Sequence, residues 1–297
     1  MQFYLIKENE QFIMQVTQKN STTREEVKNV RSINGLLDEL GELTPNEANN
    51  LIKSNNCVVR KRAIEYADRQ SRLKQLLAED DSNVEELILS SLGDLTVEEA
   101  NKLLLEAYSY KVKENAIRYA DRQSKLSSLL METNSNFIDF ILSSLGGLTV
   151  EEANNLLLEA YSYKVRENVI RYADRQSKLE RLLVEEIIAD LIFYSLGDIS
   201  TEEANKLLLE AGDYNVREMA IKYADRQTKL ARLLVEETSE VIDPILNSLG
   251  ELTIEETDKL LKAHTLKVIK YAMLNVCSEG LEELRDVIIE KLKYIKE

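Results

Sequence analysis

A block of about 52 residues recurs along nearly the whole chain, and this internal periodicity constrains the fold more than any other property. Residues 95–126 and 148–179 differ only at Lys102/Asn155, Lys113/Arg166 and Ala116/Val169. The tetrapeptide Ala-Asp-Arg-Gln starts at Ala67, Ala120, Ala173 and Ala224, at spacings of 53, 53 and 51. A unit of this size cannot bury its own apolar face. It is stable only when stacked on its neighbours, which makes a solenoid.

The repeats are helical. With 2 prolines and 9 glycines in 297 residues, breakers are scarce. Each block opens with a capping box: Thr44 to Glu47, Thr96 to Glu99, Thr149 to Glu152, Ser200 to Glu203 and Thr253 to Glu256. Each box follows a glycine, Gly41, Gly93, Gly146, Gly197 or Gly250, suited to a left-handed helix end. Ala100, Leu103, Leu104 and Ala107 form the stripe of a first helix. Val112, Ala116, Ile117 and Ala120 mark a second, and Leu126, Leu129 and Leu130 a short third. Phe137, Phe140, Ile141 and Leu145 mark a fourth. The expected fold is therefore an all-α solenoid of about five blocks with two helical hairpins each. Its expected divisions are an N-terminal cap at 1–30, the array at 31–280 and a C-terminal capping helix at 281–297.

Charge narrows the partners. The net charge is −15, from 38 basic and 53 acidic side chains, which repels nucleic acid and anionic membranes. No run approaches the ~18 apolar residues of a membrane span. Lys7, Glu8 and Glu10 interrupt the apolar start, unlike a signal peptide. Cys57 and Cys277 lie near opposite ends of the array, so two free thiols in a reducing, cytoplasmic setting are expected.

The run from Asp213 to Ile221, an acidic turn followed by Val216-Arg217 and Ala220, resembles the second-helix motif of HEAT-type repeats. Val59-Arg60 and Val165-Arg166 keep the Val-Arg pair, Lys113 replaces the arginine in block two, and the turn aspartate stands only at Asp213. The resemblance covers about residues 31–280. It implies stacked hairpins whose second helices line a concave groove, with an Asp–Arg ladder between repeats.

A helical wheel over the second helix, taken to continue through Ala-Asp-Arg-Gln, places charged residues opposite the apolar stripe. In block two these are Glu114, Arg118, Asp121, Arg122 and Lys125. The matching sets are Lys61, Glu65, Asp68, Arg69 and Arg72; Glu167, Arg171, Asp174, Arg175 and Lys178; and Glu218, Lys222, Asp225, Arg226 and Lys229. Each set holds three cations and two anions. The expected partner-binding ridge is Arg69, Arg72, Arg118, Arg122, Lys125, Arg171, Arg175, Lys178, Lys222, Arg226 and Lys229. Two readings stay open: a solvated face laced with i, i+4 ion pairs, or a groove that grips an acidic protein or peptide.

Nothing in the pattern suggests catalysis. The one histidine, His264, has no companion for a metal site or triad, and no phosphate-binding glycine loop is present. No cofactor or metal is expected. Tyr108, Tyr110, Tyr161 and Tyr163 fall in the turns between first and second helices of blocks two and three. They are expected to pack across the hairpin joint; the alternative is an aromatic ladder for a ligand. The expected function is a non-enzymatic scaffold or adaptor binding an extended or acidic protein in the groove. Alternatives are a HEAT-like enzyme, of the DNA-glycosylase or bilin-lyase kind, and a self-assembling structural protein.

Overall fold

Four short helices fill each of the central repeats, and the first and third of each start where the sequence supplies a cap. The computed structural model describes residues 2–8, 11–17 and 33–276, together with 287, 289 and 290. These fall into two compact units, residues 1–128 and 129–297.

The first unit begins with an antiparallel hairpin, β1 (Gln2–Glu8) and β2 (Gln11–Thr17), in the region expected to be a terminal cap of the all-α array. Helices follow: α1 (Ile33–Leu40), α2 (Pro45–Leu51), α3 (Cys57–Ile64), α4 (Arg69–Leu76), α5 (Ser82–Leu92), α6 (Val97–Glu106) and α7 (Tyr110–Ile117). The division between units falls within α8 (Arg122–Met131). Packing joins α2 to α3, α3 to α5, α4 to α5, and α6 to α7.

The second unit contains α9 (Ser135–Leu145), α10 (Val150–Glu159), α11 (Tyr163–Val169), α12 (Arg175–Leu182) and α13 (Ala189–Leu196). It continues with α14 (Thr201–Glu210), α15 (Tyr214–Ile221), α16 (Arg226–Leu233), α17 (Ser239–Leu249), α18 (Ile254–Leu260) and α19 (Leu266–Asn275). First and third helices of the blocks make one layer, in which α10 meets α12, α12 meets α14, and α16 meets α18. Second and fourth helices make the other, in which α9 meets α11, α13 meets α15, and α15 meets α17. From residue 33 to 275 this is the expected all-α solenoid. Of the expected C-terminal helix only residues 287, 289 and 290 are described, and they are helical.

Apolar periodicity decides the core. Leu156, Leu157, Val165, Val169 and Leu182 are fully buried between the two layers, as are their counterparts Leu208, Val216, Ala220 and Leu233. All five capping boxes form, with hydroxyl and glutamate each bonded to the other's main-chain amide. The glycine before each box has φ between +63° and +71°. At Gly93 and Gly197, ψ is −142° and −138°, outside the left-handed helical well and in a region essentially reserved for glycine.

The wheel across Ala-Asp-Arg-Gln is corrected by the structure. The second helix stops at Ile117, Val169 and Ile221, and the motif's aspartate starts a new helix. Asp174 accepts from the Ser177 amide and Asp225 from the Thr228 amide, as N-caps do. A propensity wheel cannot see this break, because aspartate is tolerated inside a helix yet is far better at its start.

Candidate functional site

The helix break divides each block into two edges, pinned in most blocks by an arginine and a glutamate; in block two Lys113 stands at the turn-edge arginine position. At one edge lie the capping boxes, the glycines and the Ala-Asp-Arg-Gln motifs. At the other lie the turns joining first to second and third to fourth helices.

At the capping edge the alanine, aspartate and arginine of the motif have internal tasks. Ala173 and Ala224 are buried. Asn154 Nδ2 donates to Asp174 at 2.7 Å while its carbonyl oxygen accepts from the Asp174 amide at 2.9 Å. The same reciprocal pair joins Asn49 to Asp68, Asn101 to Asp121 and Asn205 to Asp225. The amide of Ser71, Ser124, Ser177 or Thr228, then the asparagine, holds each of these aspartates below the usual carboxylate range.

The motif arginine reaches into the next block. Arg175 donates to both carboxylate oxygens of Glu203 at 2.6 and 2.7 Å, and to the carbonyls of Leu196 and Asp198, each at 2.9 Å. Arg69 does the same with Glu99, Leu92 and Asp94. Arg226 does so with Glu256, Leu249 and Glu251. The glutamate is the one that closes the capping box, so a single carboxylate finishes a helix start and receives the preceding block. The arginine's hydrogen bonds lower Glu99, Glu203 and Glu256 to about 2.

The expected ridge is therefore dispersed. Arg69, Arg175 and Arg226 are clamps, and Arg122 opens α8 at the equivalent position. Arg72 donates to the Ser91 carbonyl at 3.0 Å. Lys178 is buried and Lys125 and Lys229 are half-buried within third helices; burial lowers Lys178 and Lys229. Arg118, Arg171 and Lys222 are exposed at the second-helix ends. Arg171 lies over the Tyr172 ring at 4.7 Å and Lys222 over Tyr223 at 5.0 Å. Asp139, Asn168, Arg171 and Tyr172 line an open recess of about 320 Å³.

The turn edge carries a device that the sequence reading passed over. Arg166 and Glu185 are buried together, with Nε 3.0 Å from Oε2. Arg166 also donates to the carbonyls of Ala160 and Tyr161, each at 2.9 Å. Arg181 joins the same carboxylate at 2.8 Å and reaches the Leu158 carbonyl at 3.2 Å. Glu185 accepts in turn from the Ile187 amide at 3.0 Å, which fixes the next loop. Arg217, Glu236 and Arg232 repeat the knot, as do Arg60 and Glu79 with Gln75 as the third member. Burial pushes these glutamates up, but their hydrogen bonds and arginines outweigh it and leave each below the usual range. The sequence signal was present: Arg60 to Glu79, Arg166 to Glu185 and Arg217 to Glu236 share one spacing of 19.

Asp213 is an N-cap, accepting from the Asn215 and Val216 amides, and forms no inter-repeat ladder among the described residues. The turn tyrosines do not pack across the joint: Tyr108 is 83% and Tyr161 75% exposed. His264 is exposed in the turn before α19. Among the described residues no three His, Cys, Asp or Glu side chains gather as a metal site, and no helix is long and apolar enough to cross a membrane.

Comparison of the chain with protein-family models, with curated proteins and with solved structures returns no match.

Proposed function

We propose that this chain is a non-enzymatic, HEAT-like scaffold that binds a partner protein through one contact set per block. The observation that carries the reading is that exposed side chains without an internal task recur at the repeat period. Met131, Val184 and Val235 occupy one repeat position and are 77%, 69% and 58% exposed. Tyr108 and Tyr161 occupy another. Exposed apolar residues are ordinary singly, but recurrence at the repeat period supplies the multiple weak contacts from which extended-partner affinity accumulates.

A cytoplasmic acidic partner is a second reading. It now rests on Arg118, Arg171 and Lys222, because Arg69, Arg175 and Arg226 are spent on the clamps. Its support is the recess beside Arg171 and Tyr172.

The test is cross-linking mass spectrometry of the intact protein with whatever co-purifies. Cross-links recurring at equivalent positions of two or more blocks are expected. Cross-links confined to one unrepeated site, or turnover of a small molecule there, would defeat the scaffold reading.

A further inference from the structure

We propose that the turn edge of the second unit binds a basic, amphipathic helix of a partner protein. The inference rests on the scaffold reading and assigns the surface and the chemistry of its ligand.

Two hydrogen bonds build the apolar part of this edge. The Tyr161 amide donates to the Leu130 carbonyl at 2.9 Å, and the Gly212 amide to the Leu183 carbonyl at 3.0 Å. Each first–second turn is thereby seated beside the end of the preceding third helix. Tyr161 is brought next to Met131, and the Gly212 turn next to Val184. Ile187, 70% exposed, follows in the loop that Glu185 holds. Apolar side chains thus line successive blocks, with a small residue rather than a ring beside Val184.

Charge decides the occupant. Of the cations at this edge, Arg166, Arg181, Arg217 and Arg232 are turned inward onto Glu185, Glu236 and main-chain carbonyls, while Lys164, Lys262 and Lys267 are paired with Asp139, Asp258 and Asp243. Its carboxylates Glu159, Glu186, Glu210 and Glu237 are exposed and form no ion pair among the described residues. The knots hold their positive charge in the interior and leave the rim acidic. An apolar strip with an acidic rim complements a helix with an apolar stripe flanked by lysine or arginine. It opposes a second copy of the same edge, which would bring carboxylate against carboxylate, and it opposes an anionic bilayer.

Spacing sets the length. Helices in one layer pack 8–10 Å apart, so equivalent positions of neighbouring blocks lie roughly 20 Å apart. A helix rising 1.5 Å per residue covers that step in about 13 residues, and about 25 residues cover the two steps from Met131 to Val235.

The experiment titrates the full chain into two fluorescent synthetic helices of about 25 residues. Both carry one leucine stripe; one is flanked by lysine and the other by glutamate. The proteins are wild type, a triple variant Met131→Lys/Val184→Lys/Val235→Lys, a rim variant Glu159→Lys/Glu210→Lys, and a control Glu202→Lys at the capping edge. Thermal melts check that all four stay folded. The lysine peptide is expected to bind wild type and control alike and to weaken at least tenfold in the triple and rim variants, while the glutamate peptide does not bind. Equal weakening by Glu202→Lys would reduce the effect to bulk attraction by an acidic protein and overturn the proposal. Dimerisation of wild type abolished in the triple variant, or edge-dependent flotation with anionic vesicles, would overturn it in favour of a second copy or a membrane. Edge-dependent binding of the glutamate peptide would overturn the basic ligand but leave the scaffold reading standing. Binding of neither peptide removes the proposal, and the cross-linking pattern then decides the scaffold reading by itself.

Discussion

Arg166 and Glu185 stand 19 residues apart in the chain, yet their side chains are only 8% and 2% exposed and meet at 3.0 Å. The pair ties the first turn of its block to the second. Because Arg181 shares the carboxylate, one glutamate neutralises part of two guanidinium charges, one buried and one half-buried. Deleting it costs more than deleting an exposed partner would.

Glu185→Ala is accordingly expected to destabilise the protein by about 3–5 kcal/mol, the range for breaking a buried ion pair and leaving charge uncompensated. Arg181→Ala should cost less, since Arg166 still satisfies the carboxylate. Urea denaturation of the two variants checks the order, and equal, small losses would remove the knot from the account.

Arg175 lies on the capping edge, where the sequence alone suggested an exposed cation of a partner-binding ridge or solvated face. Arg175→Ala is expected to lose about 1–2 kcal/mol, since charge-assisted hydrogen bonds are involved but the guanidinium is partly solvated. Arg175→Glu should lose more, by placing a second carboxylate against Glu203. Lys222→Glu, at an exposed helix end, should stay within about 0.5 kcal/mol of wild type. Denaturation midpoints for the three variants distinguish a clamp from a solvated face.

Gly197 tests backbone strain separately from packing. A Cβ there meets nothing within 4 Å, so space is not limiting. Its φ of +67° with ψ of −138° is nevertheless costly for any L side chain. Gly197→Ala is expected to cost about 1–3 kcal/mol, and Ser200→Ala, three residues on, about 1 kcal/mol through the lost cap. Thermal melts showing Gly197→Ala as neutral would mean the helix end relaxes.

Acid stability follows from the clamps. Glu99, Glu203 and Glu256 titrate at about 2 when folded, against an ordinary 4.5. A depressed folded value means stability fully present above the unfolded value and lost as protons bind the unfolded chain more tightly. Stability should therefore fall as pH drops from about 4.5 towards 2. Replacing the three glutamates by glutamine should flatten that part of the profile. Urea titrations at stepped pH measure both, and an unchanged slope in the variant would assign acid sensitivity to other carboxylates.

Local chemistry was legible without coordinates. The capping boxes at Thr96 and Ser200, the glycines before them and the apolar stripes through Leu103 and Leu156 are set by contacts within a few residues, so period and residue type suffice to read them. The same information misplaced Arg175. Asp174 begins a helix, capping the Ser177 amide and pairing with Asn154, 20 residues earlier, and a wheel contains no term for such a partner. The identity of the exposed surface was likewise a tertiary outcome. Every arginine and glutamate is a candidate for solvent until stacking buries Arg166 and Arg217 against Glu185 and Glu236 and leaves Glu159 and Glu210 outside. Periodicity alone determined that the chain must stack helices. Long-range pairing of charges, worth more inside a packed layer than in water, decided which charges hold the stack and which remain for a partner.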